Sequence, residues 1–254
     1  NLPVARALLE LGADVNVLTS VRGMDGICNL GADSILASAM QTAGGSFDAA
    51  PMLDLLLRHG ADPFATSPTT GNSILTEAAR FGNAAAIEAA VTRVPELLRP
   101  EHSAAEAHFP LLLNAPVVSA TFGQHGVVRL LRGVGADLSG TDCFGQSALH
   151  AASHWGYRDI VRDLLAEPSA RRYLNEVSRP PKTVGGRVNA FGRRVHGMHR
   201  ARRAVGAARG GGKMRSFLDH SVGGAPLHGA AASNHIVIVK MLLDARADTG
   251  VKSL

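Results

Sequence analysis

Gly210-Gly211-Gly212-Lys213 is the nearest approach in this chain to a phosphate-cradling loop, because glycine backbone amides followed by a lysine can surround a phosphate. The spacing G-x-x-x-x-G-K-[ST] fails, however, with Ala207 at the first glycine position and Met214 at the hydroxyl position. His196 and His199 stand three apart and on a helix would face one metal, yet no Cys or acidic residue nearby completes a tetrahedral set. Cys143 sits in a turn with nothing cationic beside it in sequence, which argues against a thiolate nucleophile. Nucleotide, metal and nucleophilic chemistry are therefore set aside; no catalytic residue, cofactor or small-molecule substrate is expected.

The elements that carry these residues are short and recurrent. Asp142-Cys143-Phe144-Gly145 is a turn signal. It leads into a short helix from Ala148 to Trp155 that Gly156 ends, then into a second helix in which Ile160, Val161, Leu164 and Leu165 share one face. Two helices this short cannot bury that face alone. The pattern returns as Ala225-Pro226-Leu227-His228, Ala230-Ala231, His235 and Ile238 to Leu243, closing on Ala247-Asp248. Fourteen residues separate Asn234 from Asp248, and fourteen separate Gly123 from Asp137.

These residues resemble the ankyrin repeat, whose pattern reads D-x-x-G-x-T-P-L-H-x-A-A-x-x-G-H-x-x-I-V-x-L-L-L-x-x-G-A-D. Ser147-Ala148-Leu149-His150 stands at T-P-L-H and Gly156 at the glycine between helices. Tyr157 replaces the family's His, and Pro168-Ser169-Ala170 replaces Gly-Ala-Asp. The resemblance implies an all-α solenoid of stacked helix–turn–helix units joined by β-turns or hairpins. It also implies that His150 and His228 hydrogen-bond backbone between adjacent repeats.

Starts at residues 34, 73, 114 and 147 give steps of 39, 41 and 33. The next start, at 225, is 78 residues on, too far for one repeat. The expected organisation is an ankyrin array over 1–182, its first copy truncated and its insertions near 17–33 and 92–113, then a basic insert or damaged repeat over 183–218, then a last repeat over 219–254. From Val177 to Leu218 there are eleven Lys or Arg and no acidic residue, which leaves 15 basic against 21 acidic residues elsewhere. The net charge of +5 thus averages an acidic array and one basic segment. That segment offers few apolar residues among its Gly, Ala and Arg, too few to offset backbone ordering, so an ordered repeat is not expected there. Both a genuine basic tether and a locally shifted reading frame account for it. Either way, weak coupling is expected between the repeats that flank it.

Aromatic residues are 4% of the chain, which suits stacked short helices. Two cysteines, Cys28 and Cys143, without framework spacing suit a reducing compartment, so a cytoplasmic or nuclear location is expected. No apolar run reaches the length of a membrane span, and no membrane partner is expected. Because Asn1 already falls in the second helix of a repeat, the chain reads as a piece of a longer one.

The informative positions are those the repeat pattern leaves free. Immediately before the inter-helix glycine stand Phe81, Phe122 and Trp155 in three successive copies, where core packing does not ask for an aromatic. Such a stripe along a concave groove suits a protein partner, since aromatics are enriched in binding hot spots; alternatively, each ring folds over its neighbour and shields the helix end. Arg80, Thr121 and His154, one residue earlier, and Phe144 and Gln146 at a turn tip, would rim the stripe. The expected function is non-catalytic binding of a partner protein. The alternative is nucleic-acid or nuclear-import binding through Arg193, Arg194, Arg200, Arg202 and Arg203 of the basic segment.

Overall fold

Local capping chemistry cuts the chain into short helices. Ser147 is an N-cap whose hydroxyl accepts from the His150 backbone N–H at 3.4 Å, while the Nδ1 of His150 accepts from the Ser147 N–H at 3.3 Å, so two helix-start donors are satisfied reciprocally. Ser73 does the same service for the Thr76 N–H at 3.3 Å. At the other end, Gly82 (φ 75°) and Gly156 (φ 86°) take the left-handed conformation that closes each inner helix and admits few other residues.

The computed structural model describes residues 2–22, 29–40, 49–66, 72–98, 114–180, 183–184, 187–188 and 223–253. They fall into two units, 1–115 and 116–254. In the first, α1 (Leu2–Glu10) is followed by β1 (Leu18–Arg22) and β2 (Asn29–Ser34), which pair antiparallel with Leu18 opposite Ser34. The expected insertion near 17–33 is thus in large part a hairpin. Helices α2 (Ile35–Met40) and α3 (Ala49–Arg58) follow, then α4 (Ile74–Phe81) and α5 (Ala84–Arg93). The members of each pair are neighbours, and α4 packs on α2 as α5 packs on α3. Asn83 ties the two pairs together: its carbonyl oxygen caps α5 through the Ala86 N–H at 3.1 Å, and its amide donates to the Met40 carbonyl at 3.3 Å.

The second unit holds α6 (Ala115–Thr121), α7 (His125–Gly133), α8 (Ala148–Trp155), α9 (Arg158–Leu165) and a helical turn α10 (Pro168–Arg171). A two-residue hairpin, β3 (Thr183–Val184) with β4 (Arg187–Val188), precedes α11 (Pro226–Ala232) and α12 (Ile236–Asp244). The degenerate repeat end at Pro168 to Ala170 becomes α10, which buries Ala170 and, beyond it, Leu174. Ala151, Ala152 and Ala230 on the inner helices, and Ile160, Leu164, Ile238 and Leu242 on the outer ones, are fully buried. Small residues let the inner helices approach closely, and the outer leucines fill the space behind.

The long step in the sequence is bridged in space. Helix α11 packs directly on α8, and α12 on α9. The copies starting at 147 and 225 are therefore immediate neighbours in space despite their 78-residue step in sequence, so nearest-neighbour burial is available to couple them, which counting along the sequence did not suggest. The basic segment from Arg193 to Arg215 lies outside the described residues.

The two rings that follow the inter-helix turns supply the most specific neighbour contact. Tyr157 lies over Gly123, where an added Cβ would stand 2.6 Å from a ring carbon, and His235 lies over Gly156, again at 2.6 Å. Tyr157 therefore fills the role of the histidine it replaces. His235 also shares a 3.0 Å hydrogen bond with the His154 carbonyl. Gly156→Ala combines that clash with a positive φ and is expected to lower stability by about 1–3 kcal/mol in urea unfolding. Gly126→Ala, at a helical site where a Cβ meets nothing within 4 Å, should instead raise it by about 0.5–1 kcal/mol.

Candidate functional site

The last residues of the inner helices reach the surface at two of the three aromatic positions. Phe81, at the end of α4 in the first unit, is 37% exposed, with the Arg80 guanidinium 5.3 Å from its ring centre. Arg80 in turn reaches Glu77, a buried carboxylate, at 3.9 Å. In the second unit Phe122 is 42% exposed, just past α6. Thr121 beside it is half-buried and donates its hydroxyl to the Val117 carbonyl at 2.8 Å, which turns the hydroxyl inward. Trp155 is half-buried and meets the His154 ring edge-on at 5.0 Å between centres.

Three residues expected to rim the stripe lie inside instead. His154 is 4% exposed because the neighbouring repeat covers it: its Nδ1 meets the Ser233 hydroxyl at 3.2 Å, and its carbonyl is bonded by His235. It joins repeats rather than facing a partner. Phe144 and Gln146, at 4% and 0% exposure, are drawn in by the turn they belong to. Asp142 Oδ1 accepts from the Phe144 and Gln146 N–H groups at 2.9 and 2.8 Å, and the Arg179 backbone closes over Gly145 so tightly that a Cβ there would stand 2.0 Å from its carbonyl oxygen. A turn tip that reads as exposed in sequence is covered by chain arriving more than thirty residues later. Arg193, Arg194, Arg200, Arg202 and Arg203 lie outside the described residues, as do His196 and His199.

Burial sets the protonation of three groups here. Cys143 is fully buried, and desolvation pushes its thiol well above the ordinary range, which leaves it without nucleophilic character. Desolvation pushes the Asp142 carboxyl up to about 7, against the opposing pull of its backbone N–H donors. It pulls the His150 imidazole down to about 4, so the ring is neutral. The hydrogen bonds fix the tautomer: Nδ1 accepts from Ser147, and Nε2–H donates to the Glu176 carbonyl at 3.0 Å. That bond links the repeat beginning at Ser147 to the segment leading toward the next, the backbone role the repeat pattern implies for this histidine.

A cleft of about 690 Å3 that sequence reasoning did not find runs over the starts of the outer helices, between Gly123, Tyr157 and His235, with Ile236 and Val237 at its edge. Those two side chains are 61% and 54% exposed and occupy the positions of Arg158 and Asp159 in the preceding copy. Aligning the outer helices position by position would have revealed the exchange.

Comparison with known proteins agrees with the architecture. A family model described as Ankyrin repeat matches residues 144–173 and 223–253. The crystal structure of the ankyrin repeat domain of Bcl-3, described as a unique member of the IkappaB protein family, superposes with a TM-score of 0.61. It is 19% identical and covers 100% of this chain and 85% of that one. No curated protein matched the chain. Among the described residues no helix is long and apolar enough to cross a membrane.

The two buried groups give opposed pH dependences. Unfolded His150 takes up a proton below about 6.5 and the native ring does not until about 4, so its contribution to stability falls as pH drops across that window. Native Asp142 keeps its proton to about 7 whereas the unfolded carboxyl loses it above 3.8, so its contribution falls as pH rises. Relative to the parent, Asp142→Asn should therefore lose thermal stability on acidification from pH 6.5 to 4.5, and His150→Gln should lose it on going from pH 4.5 to 7. Thermal melts across that range check both signs.

Proposed function

We propose that this ankyrin-repeat chain is a non-catalytic module that binds a partner protein along the exposed ends of its inner helices. Ankyrin repeats serve generally as protein-interaction modules, and the structural neighbour is a domain of the same repeat. The observation that carries the reading is the exposure of Phe81 and Phe122 at positions where the fold makes no packing demand. In the first unit an exposed ring beside a guanidinium, and in the second an exposed ring with a half-buried indole in the following repeat, each have the composition of interface anchors: large apolar area with little rotamer entropy to lose on binding. The buried glutamate behind Arg80 holds that guanidinium against Phe81, so both approach a partner preorganised.

Arg80, Phe81, Thr121, Phe122 and Trp155 are the proposed contact residues. Phe144, Gln146 and His154 act through the fold, setting the turn and the repeat junction on which Trp155 sits. The nucleic-acid alternative rests on arginines outside the described residues and gains no support from the described ones.

With a partner captured by affinity purification and identified, Phe122→Ala should weaken its binding by about 2 kcal/mol, roughly thirtyfold, and shift the melting temperature little. Leu164→Ala, by contrast, should cost about 2–5 kcal/mol of stability. Val237→Asp, at the outer-helix cleft, should leave binding unchanged. Isothermal titration and thermal melts of the three variants decide the matter: binding that survives Phe122→Ala and is lost with Val237→Asp moves the interface to the cleft.

A further inference from the structure

We infer that residues 181–222 are spliced into the tip of a single repeat's turn, and that the array on either side folds as one continuous stack without them. The turn that opens the copy at Ser147 provides the template. There the Asp142 N–H donates to the Gln146 carbonyl at 2.9 Å, the Asp142 side chain accepts from backbone amides inside the turn, and Gly145 takes φ 79°.

The copy at Ala225 has the same backbone closure, a side-chain acceptor at the first position and a left-handed glycine at the fourth, with its halves 46 residues apart instead of four. The Ser178 N–H donates to the Gly224 carbonyl at 3.1 Å, the Ser178 hydroxyl accepts from the Gly223 N–H at 2.8 Å, and Gly223 takes φ 84°. The following histidine repeats too: His228 Nδ1 accepts from the Ala225 N–H at 3.1 Å, as His150 Nδ1 does from Ser147. A turn closed by the same backbone bond, with its first side chain accepting from an amide of its far half, is held at both ends. The intervening chain leaves after Pro180 and returns before Gly223, and the strands β3 and β4 within it pair only with each other in their sheet.

Omitting the 42 residues from 181 to 222 gives Ser178-Arg179-Pro180-Gly223-Gly224, equal in length to Asp142-Cys143-Phe144-Gly145-Gln146. The row of inner-helix ends in this unit then runs over three neighbouring repeats without a gap, from Phe122 through Trp155 to Ser233, the last bonded to His154 at 3.2 Å.

Two variants test the inference. The first deletes 181–222 and carries Pro180→Asn, because proline at the third turn position forces the residue before it out of the helical region. The second replaces 181–222 by a Gly/Ser chain of equal length containing a specific protease site. The deletion should melt in one transition with its midpoint unchanged or a few degrees higher, since a shorter closed loop loses less entropy on folding. After cleavage of the second variant, the two pieces should elute together on gel filtration at micromolar concentration, held by α8 on α11 and α9 on α12. Loss of a cooperative transition in the deletion, or separation of the cleaved pieces, overturns the inference and makes the segment part of the fold.

Discussion

Burial of one repeat's face by the next is the interaction on which everything else here depends. An eight-residue helix has no stability of its own in water. Helix α9 persists because Ile160, Val161 and Leu164 are covered on both sides, by α7 and by α12. The alanines of α8 and α11 set how near those layers come, and two rings on two glycines, Tyr157 on Gly123 and His235 on Gly156, set where along the helices they meet. The apolar burial supplies most of the free energy, and the ring-on-glycine contacts, which admit no Cβ, supply the register.

Stacking also decides which positions are left over. Each repeat must commit its alanines, its paired aliphatics and its capping residues to neighbours, so variation is tolerated at the ends of the inner helices and at the starts of the outer ones. Phe81 and Phe122 occupy the first kind of position, Ile236 and Val237 the second. The buried polar groups belong to the scaffold: His150 with Ser147 and Glu176, Asp142 with its own turn, His154 with Ser233 and His235. These three are held by hydrogen bonds made within or between repeats, which offsets much of the cost of burying them.

Much of this was legible in the sequence because capping and turn chemistry are local. Ser147, His150, Gly82 and Gly156 announce helix starts and stops within a few residues of themselves, and the structure uses each as its local chemistry suggests. The misreadings share one cause, contacts made across long sequence separations. Phe144 and Gln146 look exposed until the Arg179 backbone arrives over Gly145. His154 looks like a rim residue until Ser233, 79 positions later, bonds to it. The 78-residue step between repeat starts looks like a break because counting along the chain assumes that sequence neighbours are spatial neighbours, whereas the Ser178–Gly224 bond shows the chain leaving and re-entering the same turn. Tyr157 looks like a lost histidine, yet its ring covers the preceding glycine as His235 does, because what that position requires is a flat side chain.

The direct stacking of α8 on α11 is the claim on which the account stands or falls, and native-state hydrogen exchange reads it residue by residue. Destabilising the last repeat with Leu242→Ala, whose side chain is wholly buried in α12, should accelerate exchange not only at Ala230 but also at the Ala151 and Ala152 amides of α8, as nearest-neighbour coupling requires. Unchanged protection at Ala151 and Ala152 while Ala230 loses its own would show that the two repeats fold independently, and would contradict the account.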